Sequence, residues 1–101
     1  MKGNTINEFI NDLYTNGGPE KEFVLGNKYY IIQAESKAGD EKTYLRLDEY
    51  LYENDEAGTY LNTFWVEGMN LTECVEAFEK AQIFDGKTIY EVEKDIEVLF
   101  G

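Results

Sequence analysis

The residue pattern changes period twice along this chain, and that change limits the fold more than any other feature. From Glu22 to Glu67 polar and apolar residues alternate in twos, while the stretches on either side repeat at helical spacing. At the start, Ile6, Phe9, Ile10, Leu13 and Tyr14 make one apolar stripe behind Thr5 and Glu8, whose spacing predicts a capping box. Asn16-Gly17-Gly18-Pro19 is expected to stop that helix, because glycine takes left-handed angles cheaply and proline cannot continue it.

Within the alternating region, Phe23–Leu25 reads as a short strand, Gly26-Asn27 as a tight turn or bulge, and Lys28–Ala34 as a clearer strand. Ser36–Glu41, carrying Gly39-Asp40, reads as a turn; Thr43–Glu53 is a long strand, Asp55–Gly58 a turn and Thr59–Glu67 a further strand. Asn70 and Glu73 then have capping spacing ahead of Leu71, Cys74, Val75 and Phe78. Phe84-Asp85-Gly86 breaks the chain. Thr88 and Glu91 repeat the capping spacing ahead of Ile89, Val92, Ile96, Leu99 and Phe100, which read as one last helix. Short links between strands favour an antiparallel meander. The expected fold is a single α+β domain over residues 1–101: three to four antiparallel strands with helices packed on one face, in the order α-β-β-β-α-α.

Charge is the second informative pattern. The chain holds 21 acidic and 9 basic residues, no histidine, and a net charge of −12. The imbalance is local. Between Leu47 and Glu79 there is no lysine or arginine, while Asp48, Glu49, Glu53, Asp55, Glu56, Glu67, Glu73, Glu76 and Glu79 contribute nine negative charges. Mutual repulsion among them lowers stability, so they call for a reason: solubility, or a basic partner. In the Thr43–Glu53 strand, alternation puts Leu45, Leu47 and Leu51 on a core face and Tyr44, Arg46, Asp48, Tyr50 and Tyr52 on the other. Glu49 falls among the leucines, which predicts a bulge or the end of the core there. In the next strand Leu61 and Trp65 share one face, with Tyr60, Phe64 and Val66 opposite. Tyrosines beside carboxylates suit a protein interface, although tyrosine also has high strand propensity in its own right.

Composition disfavours several functions. An acidic surface repels nucleic-acid phosphates and anionic membranes. Without histidine and with Cys74 alone, zinc sites and Ser-His or Cys-His catalysis lack their parts. One cysteine makes no internal disulfide, and neither a signal-peptide core nor a membrane-length apolar run is present in the sequence, so the expected compartment is the cytoplasm. Ala81–Thr88 reads A-x-x-x-x-G-K-T and lacks the first glycine of a phosphate loop, so Gly86-Lys87-Thr88 is taken as a turn and helix start. Asn54–Gly58 lacks the alternating ligands of a calcium loop and reads as a hairpin. Asn70-Leu71-Thr72 matches a glycosylation sequon but reads as a helix cap, and Cys74 as a buried, inert thiol. Neither enzyme activity nor a metal or cofactor is expected.

A small acidic domain ordered α-β-β-β-α-α, with its carboxylates gathered at 47–79 and a helix starting at Thr88, resembles phage-encoded anti-CRISPR inhibitors that block the basic groove of a CRISPR effector. The resemblance covers layout and charge and includes no diagnostic motif. It implies DNA mimicry, with carboxylates taking the Lys and Arg positions that otherwise hold phosphates.

The leading expectation is therefore a non-enzymatic inhibitor or adaptor that binds a basic, nucleic-acid-handling protein through Asp48, Glu49, Tyr50, Tyr52, Glu53, Asp55, Glu56 and Glu67. The alternative is a structural module that associates with itself or with a non-basic partner through its sheet. A third expectation is a small-molecule site lined by Tyr30, Tyr60 and Trp65.

Overall fold

The computed structural model describes residues 1–15, 20–36, 39 and 41–100. Helix α1 (Ile6–Thr15) opens with the expected capping box: Thr5 N donates to Glu8 Oε1 at 2.9 Å, and Glu8 N to Thr5 Oγ1 at 3.1 Å. Its stripe buries Phe9, Ile10 and Leu13. The expected stop at Asn16–Pro19 lies outside the described residues.

Strands β1 (Lys21–Leu25) and β2 (Lys28–Ser36) form a hairpin closed by Gly26-Asn27, where Gly26 takes φ +60° without the Cβ cost any other residue would meet. In the turn expected at Ser36–Glu41, Gly39 has φ +79°, and Lys37, Ala38 and Asp40 lie outside the described residues. Strand β3 (Thr43–Glu53) runs antiparallel to β2 and to β4 (Glu56–Gly68). The turn between β3 and β4 is Asn54-Asp55 rather than Asp55–Gly58. Both residues take positive φ, 52° and 63°, as a mirror-image two-residue turn requires, and β4 begins at Glu56.

Helix α2 (Leu71–Lys80) is capped by Asn70, whose side chain accepts from Glu73 N at 2.9 Å, while Glu73 Oε1 accepts from Met69 N at 3.2 Å. After the Phe84–Lys87 turn, Thr88 and Glu91 form a full capping box. The helix it starts is one turn long: α3 (Ile89–Val92) gives way to a 3₁₀ turn at Glu93–Asp95 and then to strand β5 (Ile96–Phe100). The single helix expected from Thr88 to Phe100 is therefore corrected. Val92 and Ile96 fit a helical stripe, but Ile96 and Val98 also fit a strand, and β1 offers a free edge with which the last five residues pair.

The fold is α+β, with an antiparallel five-stranded sheet in the order β4-β3-β2-β1-β5 and helices on one face. Elements run α-β-β-β-β-α-α-β; Phe23–Leu25 is a strand in its own right, and the fifth strand comes from the C-terminal segment. Lys2 closes the outer edge of β5, with Lys2 N donating to Ile96 O and Val98 N to Lys2 O, both at 2.8 Å. The core lies between the sheet and the helices. Phe23 stacks on Tyr30 with centroids 5.1 Å apart and meets Phe9 edge-on at 5.5 Å, and Phe84 meets Tyr30 edge-on at 5.3 Å. Leu45 and Leu47 are buried as expected, whereas Leu51 is half-buried, beyond the end of the core. Glu79 fastens the helices to one another, accepting from Tyr14 OH of α1 at 2.6 Å and from Tyr90 OH of α3.

Candidate functional site

The helices cover one face of the sheet, so side chains of the opposite parity form an open face. The pairing register lines them up in rows. One row is Glu97, Val24, Tyr29, Tyr50 and Tyr60, running from β5 to β4. The next is Ile31, Asp48 and Thr63, then Gln33, Arg46 and Trp65, then Glu35, Tyr44 and Glu67. Aromatic rings touch between neighbouring strands: Tyr29 and Tyr52 at 5.9 Å, Tyr44 and Trp65 edge-on at 5.9 Å, Tyr50 and Tyr60 edge-on at 5.7 Å.

Tyr60 belongs to this face, not to that of Phe64 and Val66. Strict alternation fails because β4 uses 13 residues to run beside the 11 of β3. Register shifts on β3 between Glu49 and Tyr50, and between Tyr50 and Tyr52, take up the difference; at the first, Leu61 is the extra residue. A bulge of this kind reverses parity and sharpens strand twist. It turns Tyr60 toward Tyr50 while leaving Phe64 and Val66 against the core.

The bulge lies beside Glu49, and the core also ends there, so both routes to accommodating Glu49 operate. Its side chain lies on the helix-covered face, where Oε2 accepts from Tyr30 OH at 2.6 Å and lies 3.9 Å from Lys28 Nζ. Burial first and this hydrogen bond second push the Tyr30 hydroxyl pKa far above its ordinary value. Tyr30 also lines a cavity of about 540 Å³ bounded by the Gly26-Asn27 turn, Phe84, Lys87 and Asp95. Tyr60 and Trp65 are on the other side of the sheet, so the expected small-molecule site of Tyr30, Tyr60 and Trp65 is not assembled.

The eight residues singled out from sequence are divided by the fold. Asp48, Tyr50, Tyr52 and Glu67 share the open face; Glu53, Asp55 and Glu56 gather at the β3–β4 hairpin end; Glu49 is on the opposite face. Tertiary structure also supplies cations that the 47–79 segment lacks. Arg46 pairs with Glu35 and places Nε 3.2 Å from Asp48 Oδ2, while Lys42 Nζ is 3.4 Å from Glu67 Oε2. The Arg46–Asp48 contact is an ion pair without hydrogen-bond geometry, since Nε has no hydrogen-bond partner. Asp48 Oδ1 instead accepts from Thr63 Oγ1 at 2.7 Å, and Thr63 Oγ1 lies 2.5 Å from Tyr60 OH. The reading of nine uncompensated carboxylates is therefore corrected: Asp48, Glu49 and Glu67 have basic neighbours, and Glu79 serves two tyrosines. Glu53, Asp55, Glu56 and Glu76 make no ion pair among the described residues.

Tyr29 was missed. Its hydroxyl donates to Glu22 and its ring lies on Tyr52; burial first, then that hydrogen bond, raise its pKa to about 12. Alternation from Tyr30 would have placed it on the open face, but only the β2–β3 register sets it opposite Tyr50. The exposed Tyr52 hydroxyl, 3.5 Å from Asp55 Oδ1, also titrates above its ordinary value. Among the described residues, no group of three or more Cys, Asp or Glu side chains is placed to hold a metal ion. Cys74 is buried, its thiol donating to Thr43 O at 3.0 Å and its pKa pushed up by desolvation. No helix among the described residues is long and apolar enough to cross a membrane. Comparison with protein-family models, with curated proteins and with solved structures finds no match to this chain.

Proposed function

We propose that this protein is a non-enzymatic binding module, an inhibitor or adaptor, whose open sheet face receives a basic protein surface. The observation that carries the reading is the one-sided placement of the helices. It leaves Tyr44, Tyr50, Tyr52, Tyr60 and Trp65 on a face with Glu67 at one end and Glu53, Asp55 and Glu56 at the other. Tyr60 and Trp65 are 55% and 47% exposed, so two large rings of this face stand largely in water, where a partner can cover them. Tyrosine and tryptophan give a partner rigid contact area with a polar tip, and peripheral carboxylates steer a cationic surface toward it. With a net charge of −12, the fitting partner is basic, and surfaces built to hold nucleic-acid phosphates are of that kind. DNA mimicry is the form of this reading in which Glu53, Asp55 and Glu56, which make no ion pair among the described residues, take the phosphate positions.

The test is capture from nuclease-treated bacterial lysate with salt-step elution, run in parallel with a variant carrying Glu53→Gln, Asp55→Asn, Glu56→Gln and Glu67→Gln. Basic proteins held by the parent chain and released by moderate salt should be lost or weakened with the variant, whose thermal unfolding stays cooperative. Equal capture by both chains, or capture indifferent to salt, would overturn the reading and favour the self-associating module.

A further inference from the structure

We infer that strand β4 is an acceptor edge, onto which an extended basic segment of the partner adds as a further strand; this rests on the proposed binding of a basic protein. The two edges of the sheet are treated differently. The outer edge of β5 is closed by the backbone of Lys2, whereas β4, among the described residues, has a strand neighbour on one side only. An edge strand presents N–H and C=O groups that want a partner. At Thr63 a side chain stands in for one: Thr63 N donates to Asn62 Oδ1 at 2.9 Å instead of across a ladder. The two bulges are confined to the first half of β4, so Asn62–Gly68 keeps regular register with Thr43–Glu49 and offers a straight run.

Charge selects the occupant. Exposed edge strands are commonly guarded by lysine, yet β4 contains no lysine or arginine, and its charged residues are Glu56 and Glu67. Glu53 and Asp55 adjoin it at the hairpin. A second copy of this chain brings the same carboxylates and −12 of like charge, whereas a strand bearing alternate Lys or Arg brings compensation. Backbone pairing along Asn62–Gly68 supplies affinity without sequence preference, and the carboxylates supply selectivity for cations.

Trp65 is the only tryptophan and belongs to this run, so its fluorescence reports occupancy directly. The probes are a short synthetic peptide alternating Lys or Arg with Val and Thr, the same peptide N-methylated at alternate residues, and an acidic counterpart. The basic peptide should bind and weaken with salt; N-methylation, which removes the ladder donors, should cost at least about tenfold in affinity. The acidic peptide should not bind. Equal binding of the methylated peptide would overturn edge pairing while leaving the basic-partner reading in place. Absence of binding by either basic peptide would overturn edge pairing too, with the capture experiment deciding the broader reading separately. Association of the chain with itself at high salt, blocked by Thr63→Pro or Trp65→Pro, whose N–H groups face away from β3, but not by distant substitutions, would make a second copy the occupant and overturn the inference.

Discussion

Tyr50 and Tyr60 meet edge-on across β3 and β4 at 5.7 Å, and they do so because Leu61 is an extra residue in β4. Without that bulge Tyr60 would point to the helix-covered face, and the open face would lose a ring at its β4 margin. The same turn of the backbone brings Tyr60 OH within 2.5 Å of Thr63 Oγ1, which donates to Asp48. A local irregularity thus builds one corner of the proposed contact surface.

A double-mutant cycle on this pair measures the contact. Tyr50→Ala and Tyr60→Ala should each destabilise by about 1 kcal/mol in urea unfolding, with a coupling of about 0.5–1 kcal/mol between them. Additive losses would mean that the rings are neighbours without interaction.

Glu79 should leave a signature at alkaline pH. Its hydrogen bond to Tyr14, with burial second, raises that hydroxyl to about 12; burial first and the Glu79 bond second do the same for Tyr90. Both phenols are protonated in folded and unfolded chains below their ordinary value of about 10, so their contribution to stability is complete there. Between about 10 and about 12 the unfolded chain ionises first, and stability falls as pH rises. Glu79→Gln should move both titrations back toward their ordinary value, read by tyrosinate absorbance, while Tyr29 stays raised by its own burial. An unchanged titration would show that Glu79 does not hold the helices in solution.

The Tyr30–Glu49 hydrogen bond joins β2 to β3 at the end of the core. Tyr30→Phe should cost about 1–3 kcal/mol, because it leaves a largely buried carboxylate without its donor. Adding Glu49→Leu should recover most of that loss, since replacing both partners removes the unsatisfied group. Loss of folding in the double variant would assign Glu49 a larger role through Lys28, whose Nζ lies 3.9 Å away.

Lys21 is 1% exposed, its ammonium 3.0 Å from Asp12 Oδ2 and 5.3 Å from the centroid of the Phe9 ring. The contact pins β1 to α1. Asp12→Ala should destabilise by about 3 kcal/mol, because it removes the opposing charge from a buried ammonium. Lys21→Met, which keeps the apolar stem and removes the charge, should cost less. The reverse ranking in chemical denaturation would mean that stem packing, not charge pairing, dominates.

Ile96 decides between helix and strand at the C-terminus. It is buried, and β5 pairs with β1 from Leu25↔Ile96 to Glu22↔Phe100. Val98→Pro should lower stability by about 3 kcal/mol, because proline there removes the Val98 N–H that donates to Lys2 O. Near-neutral behaviour would argue that the Lys2 bridge does not hold the outer edge of β5 in solution.

Local chemistry made much of this protein legible from its residues. Capping boxes at Thr5 and Thr88, the Asn70 cap and the Thr43–Glu53 alternation depend on side chains a few positions apart, so where helices start and which face of β3 is apolar can be read from neighbouring residues alone. What followed Thr88 was not local. A one-turn helix and a strand share the same spacing of Val92 and Ile96, and only the free edge of β1 selects the strand. Tyr60 changed face because the unequal lengths of β3 and β4 must be absorbed somewhere, and an extra residue reverses parity. Charge shows the same division. The nine carboxylates between Leu47 and Glu79 are a fact of sequence, but pairing of Asp48 with Arg46, Glu49 with Lys28 and Glu67 with Lys42 required the sheet register. Proximity along the chain sets caps and turns; proximity across strands sets which charges remain available to a partner.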